Sequence, residues 1–218
     1  ASMDRVLDVG GRNHRSKSHR RLRKLSSNPN TQIIATDILA AYGPDLVDDI
    51  CRSSLRSETF DGIYCDAILE HVRNYSAAVA EMHRILKPGG ELFVYVPFFW
   101  CVHDRMDYHR FTFAELDRLL SEFYEYRIFL PDGKGYGGVL WQLLTFYRIK
   151  RCKRIWRQLS RWTNAALGLY LRRRYRFQRN AGRLDGVSFA RYRFYYTHFV
   201  VNHGFCGWAR KTGSDYVK

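Results

Sequence analysis

The first residues suited to chemistry are Asp8, near the end of the mainly apolar run Arg5–Val9, and the two glycines that follow this run, Gly10 and Gly11. In an α/β sheet, an acidic residue and glycines at the carboxyl end of a strand let a ligand approach the backbone closely. About one strand–helix unit later, Asp37 ends a second β-rich run. A carboxylate there can accept hydrogen bonds from both ribose hydroxyls of a nucleotide-like cofactor. Two interpretations remain open at this point, an adenosine-type cofactor site or a tight turn followed by a solvated aspartate.

A second set of reactive side chains lies between Pro97 and Thr112. We expect His103 to act as a general base, because the pKa of an unperturbed imidazole lies near neutral pH. The alternative is that His103 only orders its loop by bonding Asp107. The polar residues around it either position an anionic or hydroxylated acceptor or pair with one another; they are Asp104, Asp107, Tyr108, His109 and Arg110.

Glu70 and His71 follow the predicted fourth strand. His71 either faces the substrate or serves as a capping or packing group. Glu70, His71 and His103 could together hold a divalent metal, but three ligands of unknown geometry are a weak signal. We therefore expect no metal.

These residues are positioned by alternating strand and helix patterns over residues 1–130. The predicted strands are Arg5–Val9, Gln32–Thr36, Asp45–Ile50, Phe60–Cys65 and Glu91–Val96. The predicted helices are Ser18–Leu25, Asn74–Leu86 and a segment that ends at Leu120, for which Thr112 and Glu115 form a capping box. Strands that alternate with helices predict a doubly wound, mostly parallel sheet with helices on both faces.

The pattern changes after Pro131, and one or two helices are predicted from about Val139 to Tyr170. An apolar stripe runs along this segment at helical spacing and consists of Ile155, Leu159, Trp162, Ala166 and Leu169. The opposite face carries Lys150, Lys153, Arg154, Arg157 and Arg161. The stripe either lies on an anionic membrane surface, through residues 139–174, or packs on the core or in a dimer. A basic link, Arg172–Arg183, and a last β element, Tyr195–Val201 with Gly207–Arg210, are expected to follow.

Composition narrows the class of protein. The 218 residues suit one domain, and the longest apolar stretch, Leu92–Val102, is about half of what a membrane-spanning helix needs. Five scattered cysteines favour reduced thiols and therefore a cytoplasmic location, where the protein could bind peripherally to the inner face of the membrane.

Charge is distributed unevenly along the chain, because residues 148–218 hold 18 lysines and arginines against two acidic residues, a net charge of +16. This excess indicates an anionic partner.

Four segments of the sequence resemble a known family. The run Phe60–Val72 and the run His83–Leu92 are similar to the "FD…LEHV…RxLKPGG" signature of class I S-adenosylmethionine-dependent methyltransferases, in the type 11 branch. The segment Pro97–Thr112 resembles the "P…H…DYxRFT" segment of that branch, and Gly204–Lys211 resembles its closing strand.

The resemblance implies a seven-stranded Rossmann-like sheet with an antiparallel last strand and S-adenosylmethionine as the cofactor. It places Asp8, Gly10 and Gly11 at the methionine end and Asp37 with Ile38 at the ribose. It also places Asp49 and Ile50 at the adenine and Asp66 below the sulfonium. The implied domain plan is a cofactor-binding core over 1–130, a basic helical insert over 131–195 and a last strand with its tail over 196–218.

One departure concerns the glycine loop, where the family has glycines at alternate positions and this chain has Arg12 and His14 after Gly10. A side chain at the second position can crowd the methionine moiety.

We expect methyl transfer to an oxygen or nitrogen of a small-molecule, saccharide or lipid-linked acceptor, with His103 as the base and His71 and residues 107–110 at the acceptor. Two alternatives remain. An RNA methyltransferase is favoured by arginines interleaved with aromatics at Arg172–Phe177 and Arg191–Tyr196, and is weakened by the lack of an RNA-binding module. A catalytically silent binding protein is permitted by the altered glycine loop. The oligomeric state is left open.

Overall fold

The computed structural model describes residues 3–100, 102–129, 153–182 and 204–213. Within these residues, seven strands form one sheet in the order β3-β2-β1-β4-β5-β7-β6. The strands are β1 Arg5–Val9, β2 Gln32–Asp37, β3 Leu46–Val47, β4 Phe60–Asp66, β5 Leu86–Pro97, β6 Glu125–Phe129 and β7 Gly204–Arg210. The helices are α1 Lys17–Leu25, α2 Tyr75–Ile85, α3 Phe113–Leu120 and α4 Lys153–Asn180. The predicted seven-stranded, mostly parallel sheet is confirmed.

The centre of the sheet is a parallel array because β1 is flanked by β2 and β4. Leu7 pairs in register with Ile34 on one side and Ile63 on the other. Four of β1's five side chains are buried, as expected of a parallel strand covered on both faces. β5 alternates, with Leu92 and Val94 buried under one face. The sheet closes with β6 antiparallel to β7.

Local capping fixes where the helices begin. The Ser16 hydroxyl accepts from the His19 backbone N–H, and the Asn74 side chain accepts from the Ala77 N–H, so α1 and α2 begin beside a polar cap. The predicted cap at Thr112 is present, since its hydroxyl accepts from the Glu115 N–H. The Glu115 carboxylate, however, pairs with Arg118 at 2.6 Å.

The third predicted strand is mostly wrong, because only Leu46 and Val47 are extended. Asp49 accepts a hydrogen bond from the Cys51 N–H and starts a 3₁₀ turn over Ile50–Arg52. Polar residues after a short strand thus favour a turn over further pairing. The sequence patterns also missed β6, a short strand that ends in an exposed Phe129.

The described residues fall into two compact units, of which the first contains the sheet with α1, α2 and α3 and the second contains α4. The prediction of a basic link over Arg172–Arg183 is wrong, because residues 172–180 continue helix α4. Arginine is a good helix former, and the helix ends only near Gly182, which adopts φ +66°.

The predicted helix before residue 153 and the predicted β run Tyr195–Val201 lie outside the described residues. No helix in the described ranges is long and apolar enough to cross a membrane.

Candidate active site

A cleft of about 690 Å³ opens at the carboxyl ends of the central strands. Its walls come from the residues that follow β1, β2, β3 and β4, together with the loop after β5. The strand order reverses between β1 and β4, which is where open α/β sheets bind ligands. The volume lies within the range of small-molecule sites. The predicted site residues that line the cleft are Gly10, Asp37, Ile38, Asp49, Ile50, His71, His103 and Tyr108.

The glycine loop after β1 is held by close contacts. Gly10 adopts φ +66°, and a Cβ there would lie 2.2 Å from the Ile68 side chain. A Cβ on Gly11 would lie 2.4 Å from the Asp8 carboxylate. Both positions therefore require glycine. Gly10 lines the cleft, whereas Asp8 is buried behind the loop, where it accepts from the Ser18 hydroxyl at 2.8 Å.

Arg12 occupies the departing position of the loop in a left-handed conformation, φ 59°. Its guanidinium lies 4.5 Å from the centre of the Tyr42 ring, a cation–π distance. Asn13 donates to the Tyr42 carbonyl at 2.7 Å and ties the same loop to that turn. Arg12 is exposed, and both it and Tyr42 line the cleft.

The end of β2 has the features of a nucleoside-binding wall. One oxygen of Asp37 accepts from the Leu39 N–H at 3.0 Å, which orients the carboxylate. Ile38, next to it, is 60% exposed although it is apolar. Across the cleft, Asp49 caps the turn that carries the buried Ile50. An acid beside an exposed apolar surface fits a ribose and a base.

Asp66 does not lie where the resemblance implies. Its carboxylate pairs with Arg21 at 3.1 Å and accepts from the Tyr64 hydroxyl at 2.7 Å. Ala67, with φ 57°, and Ile68 line the cleft at this strand end. The side chain of a strand's last residue alternates with its neighbours, so Asp66 shares the face of Tyr64.

His103 and Asp107 form a histidine–carboxylate pair at the cleft. The Nδ1 atom of His103 lies 3.0 Å from an Asp107 oxygen, and the His103 backbone N–H donates to the same oxygen at 3.1 Å. Arg110 contacts both oxygens of Asp107. This guanidinium lowers the pKa of Asp107 to about 2, so the carboxylate stays ionised. His103 thus lines the cleft and bonds Asp107, and its role as a general base stays a prediction.

Other predicted acceptor residues separate into lining and supporting groups. Tyr108 lines the cleft, with Arg73 5.0 Å from its ring centre. His109 packs edge-on against Tyr75 with ring centres 4.8 Å apart, and its Nε2 is buried without a hydrogen bond within the described part of the chain. Packing therefore explains His109 better than substrate contact. Arg110 supports the site indirectly, because its guanidinium donates hydrogen bonds to Asp107.

Glu70 is a buried acid beside the cleft. It is 1% exposed, its Oε1 lies 4.0 Å from the Nε2 of His71, and its Oε2 has no hydrogen bond within the described residues. Burial raises the pKa of Glu70 to about 7. One nitrogen each of His71 and His103 and one Glu70 oxygen lie within 4.8 Å of one another, so they could hold a cation. The expectation of no metal stays a prediction.

Substituting Glu70 by glutamine is expected to stabilise the protein above neutral pH. A carboxyl whose pKa is raised on folding contributes stability below its unfolded pKa and loses it as the pH rises through 7. The loss amounts to up to about 3 kcal/mol for this shift. Urea unfolding at pH 5 and pH 8 measures it: Glu70→Gln should show a smaller fall between the two values than the wild type. An equal fall would contradict the burial argument.

Several lining residues were missed by the sequence patterns, among them Tyr42, Ile68 and Arg73. Each belongs to a short turn after a strand, and only the tertiary fold turns it to the cleft. Ala67 and Arg12, next to Ile68 and Tyr42 in space, are left-handed, but this is visible only in the backbone angles.

A family model described as a methyltransferase domain matches residues 16–94 and begins after the glycine loop. Together with the strand order, this match decides the class of fold. The resemblance to class I methyltransferases is confirmed. The match covers 79 of the 218 residues, and neither the match nor the fold names an acceptor. Among curated proteins, no significant match is found.

Solved structures share this methyltransferase fold at low identity. One is phosphoethanolamine N-methyltransferase 2 of Haemonchus contortus with S-adenosyl-L-methionine, at 15% identity and TM-score 0.55, covering 97% of this chain and 49% of that one. Another is a SAM dependent methyltransferase of Archaeoglobus fulgidus, at 13% identity and TM-score 0.54, covering 95% and 86%. A third, the [4+2]-cyclase SpnF, has 16% identity and TM-score 0.53, covering 96% and 75%. This chain thus spans about half of the first protein, and the presence of a cyclase means that fold alone does not fix the reaction.

Proposed function

We propose that the protein transfers a methyl group from S-adenosylmethionine to an oxygen or nitrogen of a small-molecule, saccharide or lipid-linked acceptor. The observation that carries the proposal is the arrangement of one cleft, with Asp37 and Ile38 on one wall and the His103–Asp107 pair on another. The glycine-lined end and the exposed Ile38 fit an adenosine-type ligand, because backbone and apolar surface are both accessible there.

The residues divide the work of such a transfer. When bound, S-adenosylmethionine supplies an electrophilic methyl group. Asp37 would bind its ribose hydroxyls, and the turn at Asp49 and Ile50 would hold its base. His103 accepts the acceptor's proton at Nε2, because its Nδ1 is directed at Asp107. The ionised Asp107 stabilises the imidazolium that results.

The fold's contribution is mainly alignment. A methyl displacement needs the acceptor atom, the methyl carbon and the sulfur nearly in line. A rigid cleft that holds the reactants in this alignment provides much of the rate enhancement. Tyr108 and His71 line the wall next to His103 and are positioned to contact the acceptor. His71 is itself fixed, because its Nδ1 lies 3.1 Å from the Met106 carbonyl.

Transfer of a radiolabelled methyl group tests this proposal. Wild-type protein and labelled S-adenosylmethionine are incubated with each of three acceptor fractions in separate reactions, all of which contain EDTA. The first fraction is extracted lipid-linked saccharides, the second is small amines and hydroxylated metabolites, and the third is bulk RNA. Label in either of the first two fractions, lost in His103→Ala, supports the proposal. Label in RNA favours the nucleic-acid alternative, and bound cofactor without label in any fraction favours a silent binding protein.

A further inference from the structure

Helix α4 has two different apolar sides. Leu171 and Tyr175 are buried on one of them. At 100° per residue, the roughly opposite side carries Leu159, Trp162, Ala166, Leu169, Tyr170 and Phe177. All six are exposed, and Trp162 and Phe177 retain 74% and 72% of their accessible surface. We call this the outer face of α4.

Charge surrounds the outer face. The 28 residues of α4 contain nine lysines and arginines and no aspartate or glutamate. Helical spacing places Arg173 within the outer face and Arg176 at its border, and both are exposed. Arg174, on the other border, donates to the Tyr170 hydroxyl at 2.9 Å. An apolar strip with aromatic residues, bordered by arginines, is typical of a helix that lies in a membrane interface.

We propose that the outer face of α4 binds an anionic lipid surface, with the apolar side chains in the headgroup boundary and the arginines at lipid phosphates. Charge selects this occupant. A second copy of α4 would bring nine further cations against the first nine without a single acid, so self-association opposes itself electrostatically. RNA would match the charge but would leave Leu159 and Leu169 without an apolar partner. The proposal does not depend on methyl transfer.

Vesicle sedimentation tests the proposal with wild-type protein. We expect binding to phosphatidylglycerol-containing vesicles at low salt, little binding to phosphatidylcholine vesicles, and release as salt screens the attraction. The double variant Arg173→Gln/Arg176→Gln should lower the partition coefficient about 30-fold at low salt, since each basic residue contributes about fivefold. Trp162→Ala/Phe177→Ala should lower it about tenfold or more.

Gln158→Ala is the matched control, because Gln158 is an exposed polar residue of the same helix. It should bind like the wild type, and all variants should keep the wild-type melting temperature. Three results would overturn the proposal: no binding of the wild type to anionic vesicles, a mass that doubles with concentration and is restored to monomer by Trp162→Ala, or RNA binding that is unaffected by Trp162→Ala/Phe177→Ala while vesicle binding is absent.

Discussion

Replacing His103 with alanine is expected to lower kcat by ~10²–10⁴-fold while leaving the affinity for S-adenosylmethionine nearly unchanged. The reason is geometric. His103 lines the cleft, and its Nδ1 is directed at an aspartate that Arg110 keeps ionised, so proton acceptance falls to Nε2. Asp37 and Ile38 belong to another wall, so cofactor binding should survive the change. Single-turnover rates and calorimetric Kd values measure the two effects separately.

Asp107→Asn separates orientation from proton acceptance. The amide keeps the shape of the side chain but loses the charge that favours a protonated imidazole. We expect a lower kcat, because the imidazolium formed on proton transfer loses its ionised partner. Asp117→Asn, in α3 and outside the cleft, is the matched control and should leave kcat unchanged. An unaltered rate for His103→Ala would reduce His103 to ordering the loop, and would direct attention to His71, whose ring centre lies 5.1 Å away.

Replacing Asp37 with asparagine is expected to weaken S-adenosylmethionine binding by about 2–3 kcal/mol, which is roughly 30- to 150-fold in Kd. The asparagine carbonyl can still accept from the Leu39 N–H, so the turn after β2 should keep its shape. What is lost is the charge on the hydrogen bonds to the ribose hydroxyls. Isothermal titration calorimetry measures the change.

Asp4→Asn is the matched control, because Asp4 is an exposed aspartate that precedes β1 and does not line the cleft. It should bind the cofactor as the wild type does. Equal Kd values for Asp37→Asn and Asp4→Asn would remove Asp37 from the cofactor site and leave its hydrogen bond to Leu39 as its role.

Local signals predicted the parts of the fold that local forces determine. β1 and β4 are continuous apolar runs because both faces of a central parallel strand are covered. Thr112 was recognisable because a cap needs only its own helix. β6 carried no comparable signal, since its residues are half exposed and it is held mainly by pairing with β7. The arginines of α4 suggested a link, yet arginine favours helices.

The candidate site was predictable to the same extent. The glycines and Asp37 follow strands whose ends meet at one edge of the sheet, so their convergence follows from the topology. The orientation of the Asp66 side chain does not follow from the topology, because it depends on the ion pair with Arg21. His109 looked like an acceptor contact, and only the rings of Tyr75 and Phe111 around it indicate packing. Tyr42 lines the cleft beside the left-handed Arg12, and no sequence pattern anticipates this contact.

Calorimetric titration of the wild type with S-adenosylmethionine tests the proposed activity most directly, because every proposed step depends on that ligand entering the cleft. We expect a measurable heat of binding with one site per chain, a similar response to S-adenosylhomocysteine, and a rise in melting temperature that grows with ligand concentration. No heat of binding and no thermal shift at millimolar S-adenosylmethionine, from protein with an intact unfolding transition, would contradict it.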